Sequence, residues 1–263
     1  MKRLEDTLAA CTQPTAPMGP VRVAVDNYYS VTVEELGYHG GLHASPGLLA
    51  EAVTGLLLRD GLVGAGAQAE IVDMVETGRR RYSVLARVRR AAARPPPGGP
   101  VGWAAVEAAY RDFVSRVSKR RCPFAVHTVA AYSVHAGEPR LALLVSDVSR
   151  HAAALKAAGV VSRLASHGEP PVLALTTGRV SGDMVAALAR AGVRVLVSNH
   201  HPVLSGIEEA WMQGVELVLR APGGHGLAAY TQAGILVEAP RVRLGPAPGG
   251  GAGAYAGLPS PLC

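Results

Sequence analysis

The chain has 263 residues, 49% of them hydrophobic, and carries 26 Lys and Arg against 20 Asp and Glu for a net charge of +6. That is enough apolar material for one large or two small globular cores, and it excludes a chain disordered throughout. No apolar run reaches membrane-spanning length and the polar start Met1 to Thr12 lacks a signal peptide's apolar stretch, so a cytoplasmic protein with no membrane partner is expected.

The three cysteines, Cys11, Cys122 and Cys263, lie too far apart to read as a disulfide framework or a zinc set, so no structural metal is expected. The positive charge favours a polyanionic partner such as a nucleotide or a nucleic acid.

In chain order, residues 1–20 read as an irregular lead-in ending in Pro17-Met18-Gly19-Pro20. Val21 to Val25 and Tyr28 to Glu35 read as a hairpin turning at Asp26-Asn27, followed by a glycine corner at Gly40-Gly41. Leu48, Leu49, Ala52, Val53, Leu56 and Leu57 recur at helical spacing, with Ser45 as the N-cap and Gly61 as the stop.

Strands are predicted at 69–75 and 82–90, the second inside an arginine-dense tract from Arg79 to Arg94. Arg94 to Pro100 reads as a loop, because proline fixes the backbone and removes donors. A helix from Trp103 to Ser118 follows, burying Val106, Tyr110, Phe113 and Val117. Beyond Cys122-Pro123 the pattern alternates: strands at 127–134 and 140–146, a helix at 148–165, a strand at 171–176, a helix at 181–191, a strand at 194–198, a helix at 204–213 and a strand at 216–220. The division expected is an N-terminal α+β domain over 21–120, an α/β domain over 121–244 that opens with an antiparallel hairpin, Tyr132 to Leu141 around Gly137, and continues mostly parallel, and a Gly/Pro-rich tail over 245–263.

In open α/β sheets ligands bind beyond the carboxyl ends of the strands, where helix N-termini favour anions. One such end, Ser146 to His151, offers Asp147 as a cap or an acceptor, with Arg150 and His151 for phosphate. Another, Thr176 to Ser181, offers Thr177, Gly178, Arg179 and Ser181. A third, Ser198 to Pro202, places His200 and His201 side by side on a turn, poorly arranged for a shared metal. Arg220 precedes the glycine loop Pro222 to Gly226. A hydrolase elbow, a zincin motif and a Cys-x-x-Cys pair are all missing from the sequence.

The stretch from Cys122 to Thr231 resembles the FdhD/NarQ accessory proteins of formate dehydrogenase. Ser146 to His151 is similar to the family's Glu-Asp-Val-Gly-Arg-His, and His127 with Ala130-Ala131 to its Gly-Gly-(Val/Thr)-His-Ala-Ala strand. Thr177 to Val185 resembles Ser-Gly-Arg-x-Ser-x-Glu-Met-Val, and Leu219-Arg220 through Tyr230-Thr231 the closing Arg-Gly segment. Ala50 to Val63 resembles the block Ala-x-Gly-Phe-Leu-Leu-x-Glu-Gly-Ile-Ile.

The resemblance implies a cytidine deaminase-like α/β core beside a smaller N-terminal α+β domain. It further implies binding of the guanine dinucleotide form of the molybdenum cofactor, or of a guanine nucleotide, with His127, Asp147, Arg150, His151, Thr177, Gly178, Arg179, Ser181 and Arg220 as contacts. The implied partners are formate dehydrogenase or a related molybdoenzyme, a cysteine desulfurase as sulfur source, and a second copy in a homodimer.

Family sulfurtransferases carry persulfide on a Cys-Gly-x-Cys loop, expected here near Arg94 to Gly102, and that interval holds no cysteine. An accessory protein that binds the cofactor without sulfur transfer is therefore the leading expectation, and whether it is an enzyme stays open. The alternatives are sulfur transfer through Cys122, flanked by Lys119, Arg120 and Arg121, and nucleic-acid binding along Arg79 to Arg94.

Overall fold

The computed structural model describes residues 15–18, 21–93, 99–119, 126–168, 170–224 and 226–244. The lead-in apart from 15–18, the 245–263 tail, Arg94 and all three cysteines, Cys122 included, lie outside these.

Strands β1 (Thr15–Met18) and β2 (Val21–Ala24) pair with each other. The hairpin expected between 21–25 and 28–35 does not form. Asn27 is a buried strand residue that donates to the Tyr29 hydroxyl at 3.0 Å, so β3 (Asn27–Val33) begins where a turn was predicted.

Strand β3 pairs antiparallel with β4 (Tyr38–Ala44) and parallel with β6 (Arg81–Arg90), and β5 (Ala67–Gly78) closes a four-stranded sheet of order β4-β3-β6-β5. Gly40 and Gly41 lie inside β4, where the Tyr38 and Tyr28 rings occupy the space a β-carbon would take. The glycines serve ring packing, not a corner.

Helix α1 (Leu49–Arg59) starts four residues after the expected cap, because Leu48 sits in the left-handed region at φ 55 and no side chain caps the helix. It stops as expected: Gly61 has φ 73, and the Leu62 amide reaches back to the Leu57 carbonyl at 3.0 Å. Helix α2 (Trp103–Lys119) buries Val106 and Phe113, with Tyr110 and Val117 partly covered.

The second sheet has the order β13-β12-β11-β10-β8-β9. Strands β8 (His127–His135) and β9 (Glu138–Asp147) form a hairpin whose turn, Ala136-Gly137, has both φ values positive, at 51 and 84. Strands β10 (Leu173–Thr176), β11 (Val195–Ser198) and β12 (Glu216–Arg220) run parallel, and β8 and β13 (Leu227–Ala229) flank them antiparallel.

The connecting helices are α3 (Arg150–Ala165), α4 (Gly182–Ala191) and α5 (Leu204–Gln213). Helix α3 is apolar around nearly its whole circumference because it touches both sheets. Helix α1 packs on α3 and α4 while resting on β5, so one continuous core crosses the expected 120/121 boundary. A second core lies on the other face of the larger sheet, under α2.

Beyond β13, the chain is stapled back by buried Glu216. Its carboxylate accepts from the Ile235 and Leu236 amides at 3.2 and 3.4 Å and pairs with Arg241 at 3.3 Å. Strand β14 (Leu236–Val237) then runs beside β7 (Val101–Gly102). No helix among the described residues is long and apolar enough to cross a membrane.

Candidate functional site: a basic cluster at the strand ends

Side-chain alternation sends His127, Asp147, Thr176 and Ser198 to the face of the large sheet that carries α3 and α4, and they stand side by side at one edge. The segment leaving β10 is tied down by its own hydroxyls. Thr177 exchanges with Thr128, amide to carbonyl at 3.0 Å and the Thr128 amide to the Thr177 hydroxyl at 2.9 Å. The Gly178 amide donates to the Thr176 hydroxyl at 3.0 Å, and the Gly178 carbonyl accepts from Ser198 at 2.8 Å.

Gly178 sits in a crowded place. A β-carbon there would lie 3.1 Å from the Arg150 Cβ and 3.5 Å from His127 Nδ1, so the three residues meet at one point. His200 closes the far side, its Nε2 against the Thr177 carbonyl at 2.7 Å. His151 Nε2 and the Ser181 hydroxyl are 3.1 Å apart, which joins the first turns of α3 and α4. Arg179 is exposed. Neither Arg150 nor Arg179 makes a side-chain hydrogen bond or ion pair among the described residues.

Burial, followed by the neighbouring Arg150 charge, holds both His127 and His151 below the ordinary imidazole range. His200 adds to the effect at His127, while Asp147 opposes it at His127 and Asp183 at His151. Burial and the Arg150 charge both favour the neutral imidazoles beside the Arg150 guanidinium. On the other flank of His151 lies a cavity of about 140 Å³ walled by Arg59, Leu155, Asp183 and Met184.

Asp147 corrects the reading of it as a contact. It is fully buried, and its Oδ2 accepts from Lys156 Nζ at 2.7 Å and from the Ser45 amide and hydroxyl at 3.0 and 2.8 Å. Its Oδ1 accepts from the Ser149 amide at 2.9 Å. The helix cap is Ser149, whose hydroxyl accepts from the Ala152 amide at 3.3 Å. Both Asp147 oxygens are thus used inside the protein, as support for the turn that follows.

Three other expected contacts need qualification. The Thr177 hydroxyl and the Gly178 amide are engaged within the protein, so the donors open to a ligand are side chains rather than a backbone loop. Arg220, at the end of β12, has its charge near Tyr110 of α2, on the other face of the sheet, and no contact joins it to Arg150 or His151.

The arginine tract lies on the β5–β6 hairpin, where Arg80 pairs with Asp26 at 3.7 Å and Arg89 with Glu70 at 2.8 Å. Sequence reasoning missed Lys156, Ser45, Asp183 and Arg59. Lys156 did carry a signal: it is one of three lysines, set alone in the apolar run Ala152 to Val161.

Comparison with known proteins gives the family and the fold. The sequence model of the FdhD/NarQ family matches residues 95–236. The crystal structure of a candidate formate dehydrogenase accessory protein from Desulfotalea psychrophila superposes with a TM-score of 0.56 at 22% identity, over 86% of this chain and 98% of that one. No curated protein matches the chain. The family match spans more than half of the 263 residues, and the chain belongs to the FdhD/NarQ family.

Proposed function

We propose that this chain acts in the maturation of formate dehydrogenase or a related molybdoenzyme by binding a guanine-containing form of the molybdenum cofactor as its cargo, without carrying sulfur itself. The observation that carries the reading is the meeting of Arg150, His127 and Gly178 at the strand ends, with Arg179 and His151 close in sequence to that point. A half-buried guanidinium beside imidazoles suits a pyrophosphate, because each phosphoryl oxygen can accept a charge-assisted hydrogen bond. Asp147, which would repel such a group, is already paired with Lys156.

The residues present fit the phosphoryl part of the cargo. Arg150 and Arg179 would bind its charge, and His127 and His151 would hold protons against it. Sulfur transfer has less support, because the interval from Arg94 to Gly102 contains no cysteine and neither proline nor glycine can carry a persulfide.

Calorimetric titration with GDP tests the reading. The unmodified protein should bind, and Arg150→Ala and Arg179→Ala should each weaken binding by about 10-fold or more, the size of one lost charge-assisted hydrogen bond. Unchanged affinity in both variants would refute the placement.

A further inference from the structure

We infer that Ser45 and Lys156 are positioning residues for the basic cluster at the strand ends, holding, through Asp147, the turn from which Arg150 and His151 project. This inference rests on the anion-binding reading of that cluster.

The three side chains come from separated parts of the chain: Ser45 from the connection between β4 and α1, Asp147 from the end of β9 and Lys156 from the second turn of α3. All are buried, at 1%, 0% and 2% exposure. The Lys156 ammonium has three hydrogen-bond partners, the Ser45 carbonyl and hydroxyl at 2.9 Å each and Asp147 Oδ2 at 2.7 Å. The network is complete, which is the condition under which a buried polar cluster fixes one arrangement.

Stability alone gives no reason for this cluster, since well-packed apolar side chains commonly stabilise such a site as well or better. Its geometry gives another. Asp147 Oδ1 fixes the Ser149 amide, and the next residue is Arg150, whose Cβ packs tightly on Gly178 beside His127. A small displacement of the turn therefore moves the guanidinium relative to both groups. Because Ser45 follows directly from β4, the N-terminal sheet takes part in placing a cluster built on the other sheet.

Ser45→Ala removes the hydroxyl and keeps the backbone bonds, so the protein should still unfold cooperatively. The test is a double-mutant cycle with Arg150→Ala, reading GDP affinity by calorimetry, together with NMR titration of the His151 ring in ligand-free protein. His151 is faced by Arg150, Asp183, Arg59 and the Ser181 hydroxyl.

Ser45→Ala should weaken GDP binding about 10-fold in the wild-type background and hardly at all when Arg150 is already Ala, the non-additivity expected of residues that act through one another. The His151 titration should move toward the ordinary imidazole value as Arg150 loosens. Additive losses, or an unmoved His151 titration, would overturn the inference. If Arg150→Ala alone leaves GDP affinity unchanged, the ligand reading has failed instead, and the His151 titration still decides the role of Ser45.

Discussion

Gly55 of α1 lies against the Leu155 carbonyl of α3 so closely that a β-carbon on Gly55 would overlap that oxygen and stand 2.6 Å from the carbonyl carbon. Gly159 of α3 meets the Glu51 carbonyl of α1 in the same way. Two reciprocal glycines thus set the helix separation on which the shared core depends. Gly55→Ala and Gly159→Ala should each destabilise the protein by about 3 kcal/mol, at the upper end of overpacking costs, and urea unfolding would measure it. Losses below about 1 kcal/mol would mean that the helices separate easily.

Lys156→Met leaves the Asp147 carboxylate buried without its counter-charge. The expected cost is about 3–5 kcal/mol, and the double variant Lys156→Met with Asp147→Asn should recover much of it. Thermal unfolding of the three proteins checks the order. A double variant less stable than Lys156→Met would show that the carboxylate has partners enough without the lysine.

Proton linkage gives a further prediction. Burial and Arg150 depress both His127 and His151 in the folded protein, so the unfolded chain binds more protons just below its own imidazole pKa of about 6.5. The two groups therefore reduce stability fully below their folded pKa values, and stability recovers as pH rises from there to about 6.5. A bound pyrophosphate acts in the opposite sense by favouring the protonated rings. GDP binding should take up protons near pH 6 and weaken as pH rises above about 7, as calorimetry in buffers of different ionisation enthalpy would reveal. Binding that releases protons would contradict this.

Absence of a thiol pair also has a measurable consequence. Incubated with a cysteine desulfurase and isotopically labelled cysteine, the chain should acquire no stable label, since the interval 94–102 offers no sulfur nucleophile. Labelled sulfur on Cys122 would restore the sulfurtransferase reading.

Much of this architecture could be read from local pattern. The helices at 49–59, 103–119 and 150–165 announce themselves by apolar spacing and by stops such as Gly61, and the β8–β9 hairpin by Gly137. What escaped was non-local. Strand β3 takes a parallel partner some fifty residues away, which no window around Asp26-Asn27 can show.

The site divided along the same line. Arg150, His151, Gly178 and Ser181 lie at strand-to-helix junctions and were visible there, and the structure brings them together with His127. Ser45 was read as a helix cap, and Asp147 as a cap or a ligand contact, because each role fits the local sequence. Their actual partner, Lys156, is more than a hundred residues from Ser45, and only the packing of α1 on α3 brings the two together.

Native mass spectrometry of the protein, purified from a host that makes the guanine dinucleotide form of the molybdenum cofactor, tests the central claim most directly. The account predicts an adduct of that mass, displaced by excess GDP and lost in Arg150→Ala. Protein that carries no adduct and takes up no GDP at tenfold excess would contradict it.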